Sequence, residues 1–342
     1  MMRRGVAAGI ILMILMLLGS YQLYYAAMVG MSGIRVGVRR YQEDIYALQN
    51  SLDAGREYMK TSLRYSVYQA CHDSLKSSGW ADVSDAPSSE RHVEGDESYA
   101  TLPAETVFDE GLEQNILSNI NAYASGDYNF MGAYNVKLPR YETADVERTG
   151  ENTLSINVDS SKKLEITRFL TKLKLGETYF TLKESAKESN IEEIITIRKN
   201  AGMEETIETP CYDLYLQGVE ESERLTEKMN EEIAGEMASL QAGIQKPDAN
   251  ACNLVSGEAA GRIEDSLEAD GVEVIDVTLT FAQIEYDNAN GLCSLKSGTA
   301  TAKAKVTTEG PADQTFPVWN GQELAFEPLR LVFIVKAQYA TS

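Results

Sequence analysis

Histidine is almost missing from this chain: His72 and His92 are the only two in 342 residues. A zinc centre of three or four ligands would have to borrow distant carboxylates, for which no spacing argues. His72 lies between Cys71 and Asp73, but neighbouring residues of a helix point about 100° apart, so the three form no hydrogen-bonded catalytic relay. His92 falls in a Ser-rich stretch read as a flexible loop. Also absent are GxSxG, HExxH, a P-loop and a GxGxxG in strand-turn-helix context. The acid pairs Asp109/Glu110 and Glu264/Asp265 read as ordinary helix-surface charge. No catalytic residue, metal ligand or cofactor is expected, and the chain is read as a non-enzyme. A carboxylate-only hydrolase or a sensor on a membrane anchor is the alternative.

Positive charge is scarce as well. Lys+Arg total 31 against 52 Asp+Glu, a formal charge of −21. Such a surface repels phosphate backbones and argues against a nucleic-acid partner. It suits a body that stays soluble beside an anionic membrane or in a salty medium. The sequence has no Asn-x-Ser/Thr acceptor, so glycosylation gives no cue to location. Four cysteines, Cys71, Cys211, Cys252 and Cys293, are an even number too widely spaced for a zinc knuckle or a redox CxxC. Cys252 in "DANACNLVSG" and Cys293 in "NANGLCSLKSG" occupy loop-like contexts around a helix and strand, and they are the expected disulfide. Cys71 lies in an apolar stripe and reads as a small buried hydrophobe.

What the chain does have is an apolar opening. From Gly5 to Val29 no charge interrupts about 25 residues, and about 20 in a helix cross a hydrocarbon core. Tyr21, Tyr24 and Tyr25 cluster at the far end, where amphipathic rings prefer the headgroup layer. A cleaved signal peptide should be shorter and end in small residues, whereas Tyr25-Ala26-Ala27 puts a bulky ring at −3. Residues 1–29 therefore read as a retained single-pass anchor in a lipid bilayer, with a buried core helix as the bland alternative. Arg3 and Arg4 favour a cytoplasmic amino terminus and an extracytoplasmic body, against the votes of Arg35, Arg39 and Arg40 beyond the run.

The expected fold class is α+β: a transmembrane helix continuing into a helical stalk, then helices and antiparallel sheets. Ile34, Val38, Tyr41, Ile45, Leu48 and Leu52 recur at steps of 4, 3, 4, 3 and 4, the spacing of a helix-helix seam. Met59, Leu63, Val67, Cys71 and Leu75 continue at four-residue steps. Residues 30–78 read as the stalk, able to pack on a second copy or on the chain's own body. Residues 79–103 read as a linker.

Residues 104–186 read as a first α+β unit. A helix over 106–124 carries Leu112, Ile116 and Ile120 on one face. Strand-like "YNVKL", "NTLSINVDS", "KLEITRFL" and "ETYFTLKES" follow, and Leu154, Ile156 and Val158 alternate with polar residues. Residues 187–250 read as mainly helical from Ile191 to Gln245, interrupted at Pro210, with Leu225, Met229, Ile233, Met237 and Leu240 on one face. The Glu-rich opposite face reads as solvated surface, with no Gly-turned loop to make a calcium site. Residues 251–342 read as a helix capped by Ser256 and ended by Gly271, then an antiparallel meander. Asn320-Gly321 marks a two-residue hairpin turn. The shared order, a helix followed by strands, suggests that 104–186 and 254–342 are two similar units.

Arg4-Gly5-Val6-Ala7 followed by the apolar run resembles the processing site and assembly helix of type IV pilins and Tad-type pseudopilins. The resemblance covers residues 3–29. It implies cleavage between Gly5 and Val6 and self-association through the freed helix. The acidic residue usual at the fifth mature position is replaced by Ile10. The expected function is thus a membrane-anchored structural or interaction protein of the cell surface, with an unknown protein or glycan partner. The alternative is a pilin-like filament subunit.

Overall fold

The computed structural model describes residues 43, 45–130, 134–171, 191–319 and 323–341. The anchor segment, the processing site Gly5/Val6 and the seam positions Ile34, Val38 and Tyr41 lie outside these residues. Among the described residues no helix is long and apolar enough to cross a membrane. They form a mixed α+β protein with five α-helices and several antiparallel sheets.

The chain divides into two compact units. The first takes the start of helix α1 (residues 45–76) up to Glu57, together with Asp127–Lys137 and Leu164–Lys199. Its sheet has the order β3-β4-β7-β8, formed by β3 (Gly126–Phe130), β4 (Tyr134–Leu138), β7 (Lys163–Thr171) and β8 (Ile191–Asn200). Strands β4 and β7 pair antiparallel, Val136 opposite Ile166. Of the seam, Leu48 and Leu52 are buried within this unit, while Ile45 is 49% exposed.

The second unit holds the remaining described residues. In α1, Met59, Leu63, Val67, Cys71 and Leu75 are all fully buried. The stripe at four-residue steps is thus consumed by the chain's own body. Ser78 and Gly79, both at positive φ, end the helix, and the Gly79 N–H bonds back to the Ser74 carbonyl at 2.8 Å.

Residues 79–103, expected as a linker, carry structure. β1 (Arg91–Glu94) and β2 (Glu97–Ala100) form a hairpin turned at Gly95-Asp96, with Gly95 at φ +62°. His92 pairs with Tyr99 in its ladder and is not in a flexible loop. The Gly-Asp pair is a hairpin signal, hidden here among polar residues. What secures the hairpin is a distant surface, the last strand of the chain.

Two sets of elements share one arrangement, a helix packed on the first of three antiparallel strands, though β3 and β4 come between helix and strand in the first set alone. Helix α2 (Glu105–Ala124) packs on β5 (Thr143–Gly150), which pairs with β6 (Thr153–Asp159), and β9 (Met203–Glu208) returns antiparallel on the other side of β6. Further on, α5 (Val255–Ala269) packs on β11 (Glu273–Asp287), which pairs with β12 (Leu292–Glu309), and β15 (Arg330–Thr341) returns antiparallel on the other side of β12. Between the second and third strand each set makes an excursion: β7 and β8 in the first, β13 (Phe316–Trp319) and β14 (Leu324–Glu327) in the second. The first set therefore runs to Glu208, beyond the boundary at 186.

The helix expected from Ile191 is instead β8 and β9 up to Glu208, and Pro210 caps the start of α3 (Cys211–Ala242). "EEIITIRKN" and "EETIE" are rich in Ile and Thr, whose branched Cβ favours strands, and their Glu content masked this. The α3 stripe Leu225, Met229, Ile233, Met237 and Leu240 is buried as expected. Ser256 lies inside α5, whose N-cap is Leu254; a separate turn, α4 (Ala249–Cys252), is capped by Asp248. In the last hairpin Trp319 pairs with Leu324, so four residues connect the strands; Asn320-Gly321 itself lies outside the described residues.

Helix α3 lies on β12 and β15, and the sheet face beneath it is built for close approach. Ala300, Ala302 and Ala304 alternate along β12, fully buried, and share their face with Phe333 and Val335. A methyl group on Gly218 of α3 would come within 2.6 Å of Leu331 Cδ2 and 3.3 Å of Phe333 Cε1, whereas one on Gly235 meets nothing within 4 Å. The same helix therefore answers oppositely at its two glycines. Gly235→Ala should stabilise by about 0.5–1 kcal/mol through helix propensity. Gly218→Leu should cost about 3 kcal/mol or more through overpacking. Urea unfolding of the two variants measures both signs.

Candidate functional site

The hairpin β13–β14 is the place where the second unit turns apolar surface outward. Alternation puts Phe316, Val318 and Ala325 on one face and Pro317, Trp319, Leu324 and Phe326 on the other. The first face is docked on α1: Val318 is buried, and the Phe316 ring lies 5.2 Å from that of Tyr68. Gln69 clamps the strand from α1. Its Oε1 accepts from the Trp319 N–H at 2.5 Å, and its Nε2 donates to the Trp319 carbonyl at 3.4 Å and to Asp73 at 2.9 Å. The His72 ring completes the join, 3.1 Å from Asp73 Oδ1 and 3.6 Å from Glu327 Oε2. With one face fixed, the other has no choice but to point away. Trp319 is 49% exposed, Leu324 50% and Phe326 66%. A contiguous exposed patch of large apolar side chains is a mark of an interaction surface. The sequence signal was present in "FPVW", which is apolar on both sides of a strand.

Titratable groups converge at a second place, the first turns of α2 and α3. The Tyr212 hydroxyl lies 2.8 Å from both Glu105 Oε1 and Asp109 Oδ1, one proton between two carboxylates. Burial raises the Asp109 carboxyl above its ordinary range, and burial with the two acids pushes the Tyr212 phenol up strongly. Arg148 sits over the Tyr212 ring at 5.6 Å and pairs with Asp213 at 2.8 Å; Phe108 stacks on Tyr215 at 4.1 Å. This cluster joins α2, β5 and α3 by charge-assisted bonds. In sequence Asp109 reads as ordinary helix-surface charge, and nothing there hints at Glu105 or the tyrosine.

The acidic face of α3 is engaged in part. Glu221 pairs with Arg224, Glu232 accepts from Ser266, and Glu236 holds Arg262 of α5. Glu223, Glu227 and Glu231 border an open groove of about 670 Å³ that reaches Tyr339. Among the described residues no three His, Cys, Asp or Glu side chains are grouped to hold a metal ion.

The expected cysteine pair is brought together. Cys252 and Cys293 are at bonding distance with Cα atoms 5.8 Å apart, Cys293 lying where β12 pairs with β10 (Ile244–Gln245). Cys71 is buried as expected.

No protein family, no characterised protein and no solved structure matches this chain.

Because the outward side chains of the hairpin carry little of the fold, Trp319→Ser with Phe326→Ser should lower stability by less than about 1 kcal/mol. The same double variant should elute clearly earlier from a hydrophobic-interaction column than the parent protein. Unfolding curves and retention times, measured together, separate surface from core.

Proposed function

We propose that this chain is a single-pass, membrane-anchored structural or interaction protein of the cell surface, with its acidic body outside the cytoplasm. The observation that carries the reading is the uncharged run of residues 5–29, long enough to span a bilayer and followed at once by a helix-forming segment. The Cys252–Cys293 pair suits an oxidising compartment. The outward face of β13–β14 suits a protein or glycan partner, since Trp and Phe offer flat apolar area at low entropic cost. The charge of −21 sets the partner apart from nucleic acids. The two sets of helix plus three strands are read as two copies of one unit, joined into one binding or spacing body.

A second reading draws on Arg4-Gly5-Val6 ahead of the apolar run. Under it the chain is a pilin-like subunit, processed after Gly5 and assembled through its apolar amino-terminal helix. The described end of the stalk adds little to that contact, because Leu48, Leu52 and the stripe from Met59 to Leu75 are already buried in the chain itself.

For the anchored reading, the protein should remain in the membrane pellet through high-salt and alkaline carbonate washes. A soluble form starting near residue 28 would end it. For the filament reading, amino-terminal sequencing of natively expressed protein should find Val6 as the first residue. A chain that begins at Met1 or Met2 would reject it.

A further inference from the structure

The sheet beneath α3 has a second face, and beyond the β1–β2 hairpin that face is open. Along β12 the residues Gly298, Ala300, Ala302, Ala304 and Val306 are buried toward α3, while Thr299 is exposed and Thr301 and Lys303 are half-buried. Thr278 and Thr280 continue the exposed side on β11. Among these hydroxyls Lys303 stands directly opposite Lys336 of β15 in the ladder. Like charges so placed, with Cβ atoms about 5 Å apart, repel each other and weaken the sheet. Among the described residues neither ammonium is in an ion pair. Asp276, opposite Lys303 on the β11 side, accepts instead from the Thr278 hydroxyl at 2.9 Å. Lys305, next along this face, is already engaged by Glu94 at 3.0 Å.

The other side of the same layer repeats the repulsion with the opposite sign. Helix α3 lies on the buried face through its stripe at Leu225 and Met229. Two positions from that stripe, Glu223, Glu227 and Glu231 turn outward and are exposed. They recur every four residues, about 6 Å apart along the axis, and like charges at that spacing destabilise a helix. Among the described residues none of the three is in an ion pair, although Glu221 and Glu236 of the same helix are.

We propose that the Lys303–Lys336 face is a docking surface for the Glu223, Glu227 and Glu231 row of a second copy of this chain. Charge complementarity selects that occupant. In a body of net charge −21, the lysine pair is a local cationic patch, and the glutamate row is a ready counterpart. A carboxylate step of about 6 Å against about 5 Å between the lysines lets each ammonium meet one carboxylate, with threonine hydroxyls donating beside them. The contact relieves both repulsions at once. It is heterologous: each copy offers its helix to one neighbour and its sheet to another, so the assembly grows or closes into a ring. Only residues of the second unit take part, so the proposal stands apart from both readings of the amino-terminal run.

The test uses full-length protein in nonionic detergent, with isotope-labelled and unlabelled copies mixed, joined by a zero-length carbodiimide coupler and mapped. The expected products join Lys303 or Lys336 of one copy to Glu223, Glu227 or Glu231 of another, and their yield should fall about tenfold between about 50 and 500 mM salt. Lys303→Glu/Lys336→Glu and Glu223→Lys/Glu227→Lys/Glu231→Lys should each lose this association alone and regain it when mixed in equal amounts, because the exchanged charges complement again. Lys303→Gln/Lys336→Gln adds no new repulsion. It should also lose the association, with Tm unchanged or raised by up to about 2 °C. Coupling that survives the substitutions, or that joins copies only at other positions, would overturn the proposal. So would a parent protein that yields no coupling between copies at low salt, or folded swap variants that stay apart when mixed. Capture of an acidic polysaccharide by the two lysines, without any copy-to-copy coupling, would give the face to a different occupant and overturn it as well.

Discussion

Strand β15 is apolar on both sides, and the second unit is arranged around covering it. Leu331, Phe333 and Val335 turn toward α3, while Val332 and Ile334 turn the other way, against Tyr99 of the β1–β2 hairpin and Ile275. Each such side chain is worth about 1.5–3 kcal/mol when withdrawn from water, so leaving one face open would forfeit several kcal/mol. A strand buried on one face needs one layer; this one needs two. The second layer comes from the segment after α1, which explains why that segment is folded. Ser78 makes the join. Its hydroxyl donates to the Val332 carbonyl at 2.7 Å and accepts from the Ala100 N–H at 2.9 Å, so the end of α1, β2 and β15 meet at one buried atom.

The other layer depends on smallness. The alanines of β12 and Gly218 of α3 let a helix lie close on the sheet, and α5 joins it through Arg262–Glu236 and Ser266–Glu232. Most ion pairs on this surface are exposed and contribute little each. Two are better placed. Glu205 of β9 is held below the ordinary carboxylate range chiefly by the Lys60 ammonium, with Arg64 beside it. Lys305 reaches Glu94 at 3.0 Å and lies 4.7 Å over the Tyr99 ring, bonding the covering hairpin to the strand beneath it. Charge here fastens layers whose burial does the stabilising.

The end of α1 organises its surroundings in the second unit: Ser78 bonds to β2 and β15, and Asn115 of α2 donates to Ser74 at 3.0 Å. The hairpin β13–β14 rides on the same helix through Gln69, Tyr68 and His72.

Periodicity by itself was enough for the elements whose burial is one-sided. The α1 and α3 stripes, the α2 face and the alternation of β6 and β12 all follow from spacing, because one buried face imposes a period that residues display directly. The order of helix and strands likewise hinted at two similar units. Only the tertiary structure decided the rest. It turned 91–100 into a hairpin, because the surface that needs it lies more than 200 residues away. It made 191–200 and 203–208 strands, because β7 and β6 each offered an edge to a Glu-rich segment of ambiguous pattern. It brought Thr209 to Cys71 and Tyr212 to Glu105 and Asp109, because contacts across 100 residues or more leave no local period. It also chose which apolar face of β13–β14 would be spent on α1 and which would be left to the solvent, a choice that local sequence cannot make when both faces are apolar.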